Sequence, residues 1–149
     1  MTAHLHLRRE IMFPPELLRD AFQADNGEFG WTRAQIPQVV NILRSYEMAI
    51  LGGELWWVKD GSTGWDLIPQ RNGQRAVYTW AGDRRSAESW LDFVERGAVD
   101  ALAHAERWPA ERDLPRNLEG RILCNLTWVS QVAYDQLIRK KVWHSRPHV

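Results

Sequence analysis

Five histidines, one cysteine and a scatter of carboxylates are the side chains that could hold a metal or move a proton. A zinc site needs three or four ligands, usually drawn from closely spaced His/Cys pairs. His4 and His6 are two apart, but His104, His144 and His148 are scattered and Cys124 stands alone. No metal is therefore expected. Cys124 lies in the apolar run Ile122-Leu123-Cys124-Asn125-Leu126 and reads as a small buried hydrophobe. A reactive thiolate would need an electropositive setting that this run does not offer. Asp60 and Asp66 flank one turn and could share acid–base work, although solvated turn acids are the simpler reading. Gly61-Ser62-Thr63-Gly64 lacks the lysine and the helix start of a phosphate loop. There is no dinucleotide fingerprint and no nucleophile elbow. The chain carries no catalytic signature, and no cofactor is expected.

Aromatic residues are the unusual feature. There are nine tryptophans, at positions 31, 56, 57, 65, 80, 90, 108, 128 and 143. An indole N–H wants a partner, so tryptophan is rarely buried whole. Nine are too many for one small core, and some are expected at the surface, where tryptophan is enriched among binding hot spots. Stacking on nucleic acid would require a basic groove between the rings. Around Trp56, Trp57, Trp65, Tyr78 and Trp80 the charges are mixed: Glu54, Lys59, Asp60, Asp66, Arg75 and Asp83. A nucleic-acid partner is not expected.

These residues sit in a chain of 149, long enough for one domain with its own core. Nineteen basic residues balance nineteen acidic ones. The balance is uneven along the chain, since residues 1–120 carry a net charge of −4 and the rest is basic. A lone cysteine cannot form an intrachain disulfide. The N-terminus lacks the apolar stretch of a signal peptide, and no run approaches the ~18 apolar residues of a membrane span. The expectation is a cytoplasmic protein without a membrane partner.

The pattern of elements follows from periodicity and punctuation. Leu5 and Leu7 alternate weakly, as in a short edge strand. Pro14-Pro15 starts a helix with Leu17, Leu18, Ala21 and Phe22 on one stripe, stopped by Asp25-Asn26-Gly27. Thr32 and Gln35 form a capping box ahead of Ile36, Val39, Val40, Leu43 and Tyr46. Residues 48–58 read as one strand interrupted by Gly52-Gly53, which marks a bulge or a close backbone approach. Strands follow at 65–69 and 75–80, joined across an Asn72-Gly73 hairpin. Ser86 caps a helix with Trp90, Phe93, Val94, Ala98, Ala101, Leu102 and Ala105 inside, loosened at Gly97. Residues 109–117 are a linker loop. Leu118, Ile122, Leu126, Val129, Ala133 and Leu137 form a helical stripe, which favours one long helix. A strand over 121–129, then a helix capped by Ser130, is the alternative. The expected fold is α+β, with an antiparallel meander of three to four strands covered by about four helices.

The segment Tyr46-Glu47-Met48-Ala49-Ile50-Leu51-Gly52-Gly53-Glu54-Leu55-Trp56 resembles a family of small bacterial immunity proteins from polymorphic toxin systems. In that family a helix runs into a strand bearing a Gly-Gly pair. A hairpin then leads to a tryptophan at a strand end, here Trp80, and to a helix with an aromatic-x-x-Val-x-Arg pattern, here Trp90 to Arg96. The resemblance covers residues 32–107, leaving 1–31 as an N-terminal extension and 108–149 as a C-terminal helical extension and tail. It implies a non-enzymatic protein that binds and neutralises a cognate toxin domain by occluding its active site. A cationic nuclease would suit the net charge of −4 over residues 1–120. The expected binding face is the sheet and its turn, with Trp56, Trp57, Asp60, Trp65, Asp66 and Trp80, on a frame bent by Gly52 and Gly53. Either a monomer or a homodimer is compatible with this reading. A small adaptor module and an enzyme with a site assembled from scattered residues are the alternatives.

Overall fold

A computed structural model describes residues 14–59, 66–116 and 120–145, with side chains described through Ile138. The strand expected at Leu5 and Leu7, the turn with Asp60, Trp65 at the head of the next strand, and the tail after Ser145 lie outside the described residues.

The fold is α+β. Among the described residues four helices accompany an antiparallel five-stranded sheet and a separate two-stranded one. Helix α1 is Pro15–Leu18, followed by strands β1 (Phe22–Gln23) and β2 (Phe29–Trp31). Helix α2 is Ile36–Ser45 and leads into β3 (Ala49–Val58). Strands β4 (Leu67–Pro69), β5 (Arg75–Val77) and β6 (Thr79–Ala81) come next. Helix α3 (Trp90–Arg107), strand β7 (Arg121–Val129) and helix α4 (Gln131–Ser145) complete the order. The large sheet runs β1-β2-β7-β3-β6, so it is not the meander expected from the sequence. β7 is inserted between β2 and β3, and β4–β5 stand apart as a hairpin. No described helix is long and apolar enough to cross a membrane.

The long helix expected after residue 118 is instead a strand and a helix. The apolar stripe was ambiguous for a physical reason. β7 is central and buried on both sides, so Ile122 to Leu126 are buried without a break, and period 2 is invisible in such a run. Ser130 starts α4, its Oγ accepting from the Ala133 N–H at 3.2 Å.

Other boundaries also move. The first helix stops at Leu18, and Phe22 belongs to β1. Asp25-Asn26-Gly27 is therefore the turn of a β-hairpin, with Gly27 at φ 86°. The Thr32–Gln35 capping box forms, the Thr32 N–H donating to Gln35 Oε1 at 2.9 Å, but it opens a 3-10 turn, with α2 beginning at Ile36. Pro37 sits in the first turn of α2, where its missing N–H costs nothing. Ser86 lies in a turn; Ser89 caps α3, its Oγ accepting from the Asp92 N–H at 3.1 Å.

One face of the sheet is covered by α2 and α3. Val39, Val40 and Leu43 of α2 and Ala98, Ala101 and Ala105 of α3 share a cluster with Leu55, Trp57, Ile122, Cys124 and Leu126 of the sheet. A ten-residue helix is marginal on its own, so this burial is what sustains α2. Its end is a Schellman motif: the Met48 N–H donates to the Leu43 carbonyl and the Glu47 N–H to that of Arg44, each at 3.0 Å. Glu47 takes the left-handed position, φ 55°, that glycine usually fills. A second cluster joins Ala49, Trp90, Phe93, Val94, Val129 and Tyr134. Gly97 does not loosen α3, which is continuous. A Cβ there would lie 2.7 Å from the Ile50 carbonyl oxygen, so Gly97 lets the helix sit directly on β3.

Candidate interaction surface

The sheet's two faces separate the residues expected to bind together. In β3, Trp57 points with Leu55 and Gly53 to the helices, and Trp56 points with Glu54 and Val58 to the other side. Both are buried, at 9% and 3% exposure. Trp80 is the direct partner of Gly53 and so lies on the helix face, half-buried and stacked on His104 at 5.0 Å between ring centres. Asp66 is exposed, while Asp60 and Trp65 lie outside the described residues. Trp56, Trp57 and Trp80 thus share no common surface.

Most of the described tryptophans are core residues. Trp31, Trp56, Trp57, Trp90 and Trp108 are buried, and Trp80 and Trp128 are half-buried. Burial is made tolerable by local acceptors for three indole N–H groups. Trp31 donates to the Leu17 carbonyl at 3.1 Å, Trp90 to the Glu47 carbonyl at 2.7 Å, and Trp56 to Glu54 Oε1 at 2.7 Å. The Nε1 atoms of Trp57 and Trp80 have no partner among the described residues.

Among the described residues, the shifted titratable groups are tied to packing and ion pairing. Burial pushes the Cys124 thiol up to about 11, which leaves it protonated and inert near neutrality. His104 lies on α3, on the side that faces β6. It is half-buried between Trp80 and Trp108, and desolvation, aided by Arg107, lowers its pKa. Glu88 is held down to about 2, first by its hydrogen bonds from Arg96 at 2.8 and 2.9 Å. That pair pins the loop before α3, where Arg96 also donates to the Asp83 carbonyl at 2.7 Å. Among the described residues no three His, Cys, Asp or Glu side chains gather as a metal ion would need.

The accessible feature is on the face that α2 and α3 leave uncovered. The register between β3 and β7 slips between Ile50 and Gly52, the bulge expected from the glycine pair. A Cβ on Gly52 would strike the Trp80 carbonyl oxygen, and one on Gly53 that of Asn125. The pair therefore serves close strand-to-strand approach, while Gly97 provides the helix-to-strand approach. Gly52, on the same side as Glu54, carries no side chain, and a groove of about 330 Å³ opens over the bare backbone there. Its walls include Glu54, Asn125, Thr127, Thr79, Ala81 and Glu28. Asn125, in the middle of an apolar strand, is 3% exposed and donates to the Phe29 carbonyl at 2.8 Å. Glu28 is fixed by Asn26, whose Nδ2 donates to Glu28 Oε2 at 2.8 Å.

A second cleft of about 220 Å³ adjoins this groove, and Glu28 and Thr127 line both. The second cleft is mainly apolar, with Phe29, Leu126, Trp128 and Val129 in its wall. It exists because β2 is short: β2 pairs with β7 only at Cys124 and Asn125, and then turns away into the 25–27 hairpin. Of these lining residues, sequence reasoning singled out Gly52, Gly53 and Trp80. Glu28, Asn125 and Thr127 were missed, although a lone asparagine in an apolar run was a usable signal.

Comparison with known proteins finds no matching family model, no similar curated protein and no similar solved structure.

Proposed function

We propose that this protein acts by binding another protein, and that it is an immunity protein that neutralises a cognate toxin domain by covering its active site. One observation carries the reading. The segment bearing the family resemblance, Tyr46 to Trp56, runs from the end of α2 into the bulged strand, where Leu51, Gly52, Gly53 and Glu54 line the groove. The motif therefore builds a surface. The aromatic residues around it are mostly committed to a rigid core, which suits an inhibitor, because a preorganised surface loses less entropy on binding. The contact face belongs to the uncovered side of the sheet. Trp57 and Trp80 support it from the helix side, and Trp56 does so from below through its bond to Glu54. The protein works in the cytoplasm of the toxin-producing cell, as a monomer or a homodimer.

The test is a tagged pull-down from the source cells, followed by growth assays with the captured domain. The expected result is one large secreted protein, or its C-terminal fragment, at near-equal stoichiometry. Its isolated domain should stop growth of cells lacking this chain and spare cells that express it. Recovery of nothing specific while such a toxin is made, or of a protein with no toxicity, would overturn the proposal.

A further inference from the structure

Strand β6 is the outermost strand at its end of the large sheet, and among the described residues it pairs on one side only. Its three residues, Thr79, Trp80 and Ala81, face Glu54, Gly53 and Gly52 of β3. Two backbone bonds flank the pairing: the Leu55 N–H donates to the Tyr78 carbonyl at 2.9 Å, and the Gly82 N–H donates to the Leu51 carbonyl at 2.8 Å. A strand this short has few bonds to lose, and such segments open locally at low cost. Of its three side chains only Trp80 turns to the helix layer, because side chains alternate along a strand. The buried Trp80 indole N–H has no hydrogen-bond partner among the described residues, so no polar bond fixes this ring. Its ring contact on α3 is His104, stacked at 5.0 Å between centres with only 9° between the planes. Trp108 packs on the same imidazole at 5.8 Å, tilted by 47°. The edge strand therefore meets α3 through a side chain that can take up a proton.

We infer that His104 is a pH-sensitive latch: its neutral ring holds β6 against α3 through Trp80, and protonation loosens the strand. The latch is a conformational device and does not depend on the immunity reading. The surroundings of the ring favour the neutral form. On α3 itself, Asp100 lies one turn before His104 and Arg107 one turn after it. Asp100 already faces Arg96, with 3.9 Å between its Oδ2 and Arg96 Nη1. β6 brings Thr79, Trp80 and Ala81 and no charged side chain, and Trp108 at the helix end is neutral. An imidazolium there would give up water for indole faces, with a cation close by and a carboxylate that is shared. Desolvation and then Arg107 lower the pKa from the usual 6.5, against Asp100. The sign follows from linkage. The opened ring takes a proton more readily than the stacked one, so the latch holds fully above pH 6.5 and weakens as pH falls through the lower, folded value. The effect reaches the other face of the sheet, because Thr79 and Ala81 wall the groove over Gly52. Loosening β6 loosens that wall.

The experiment is an NMR titration of the isotope-labelled full chain between about pH 8 and 5, the range in which histidine changes charge. Glu88 titrates near 2, outside that window. His104→Phe identifies the imidazole signal by its loss and keeps a ring that cannot take a proton. The expected result has three parts. The His104 imidazole titrates below 6.5, and the Trp80 indole N–H signal moves with the same midpoint. Hydrogen exchange at the Trp80 and Gly82 amides, read against the Leu123 amide in the middle of the sheet, rises several-fold at the acid end. In His104→Phe the Trp80 and exchange responses disappear. An imidazole titrating at 6.5 or above would mean that the attraction of a cation to the indole faces prevails, and would overturn the latch. So would a Trp80 signal that does not follow the imidazole, or a pH response kept in His104→Phe. A second variant covers the case in which His104→Phe does not fold. Arg107→Gln leaves both indoles and the imidazole in place and removes the nearby cation, so the His104 and Trp80 midpoints should rise together. Midpoints that separate in Arg107→Gln would overturn the latch as well.

Discussion

Leu55 and Glu54 are neighbours in β3, yet they belong to two different materials. Leu55 is fully buried beneath α2 and α3, in a cluster made of aliphatic and aromatic side chains. Glu54 lines a groove with a glycine floor, two threonines and a buried asparagine. Apolar burial is concentrated on the first face and polar side chains line the second. A strand makes this division possible because its side chains alternate, so one sequence serves both without compromise. The second face is not uniformly open, since Trp56, Val58 and Leu123 are buried there with Ala24 and Phe22 at the β1–β2 end. The groove occupies the part of that face where Gly52 carries no side chain.

The sharpest way to break this comparison is to truncate the helix-covered face. Leu55→Ala should cost about 2–5 kcal/mol, and Trp57→Ala about 3–5 kcal/mol, from lost burial and the cavity left behind. Urea unfolding followed by far-UV circular dichroism measures both. If Leu55→Ala unfolds at the same midpoint as Thr127→Ala, the two faces are not energetically distinct. Smaller, but still large, is the effect expected at the bulge. Gly53→Ala places a methyl group against the Asn125 carbonyl, a backbone atom that cannot rotate away. It should cost about 1–3 kcal/mol, in the range of overpacked sites. Gly27→Ala meets no neighbouring atom and tests only the left-handed backbone of its turn.

How much of this was legible in the sequence depends on whether the signal was local. The Thr32–Gln35 box, the Asn72-Gly73 hairpin and the Gly52-Gly53 bulge are set by residues within a few positions of one another, and each was readable. β7 was not. Its burial on both faces is a property of the completed sheet, and an apolar run without alternation fits a helix stripe equally well. Ser86 and Ser89 are equivalent caps by residue type; the structure selects Ser89 because Trp90 is the first residue of α3 to be buried. The tryptophans misled in the same way. Composition showed that their N–H groups needed partners, but not that Leu17, Glu47 and Glu54 would supply them. The groove was the least legible feature of all. Its residues come from positions 28, 52–54, 79–81 and 125–127, and only the insertion of β7 beside β3 brings them together.

The ion pair that ties the loop after β6 to α3 should respond to acid. The loop from Gly82 to Ser89 leaves the edge strand β6 and enters α3, and the Glu88–Arg96 pair holds it there. Glu88 titrates near 2 in the fold against 4.5 in its absence, chiefly because Arg96 donates to its carboxylate. A lowered carboxyl pKa adds stability that is fully present above the unfolded value and is lost as pH falls through the folded one. The melting temperature should therefore decline between about pH 4.5 and 2 by more in the wild type than in Arg96→Met, which removes the donor. Parallel pH profiles for the two proteins would show that the ion pair does not couple loop to helix.

The smallest effect on folding is expected at Glu54, and this sharpens the comparison most directly. Glu54→Gln removes the charge but keeps an oxygen for the Trp56 indole, so the buried N–H stays paired. The change should lie within about 0.5 kcal/mol, as for a surface site with no lost partner. Glu54→Leu lacks that oxygen and leaves the Trp56 N–H buried without its acceptor, so it should unfold at a lower urea concentration than the glutamine variant. The pair of substitutions separates two jobs of one side chain: an acceptor that holds Trp56 in place, and a charge that folding does not require. A Glu54→Gln protein as unstable as Glu54→Leu would mean that the charge is structural. The groove would then be part of the core's support, with no carboxylate to spare for a partner.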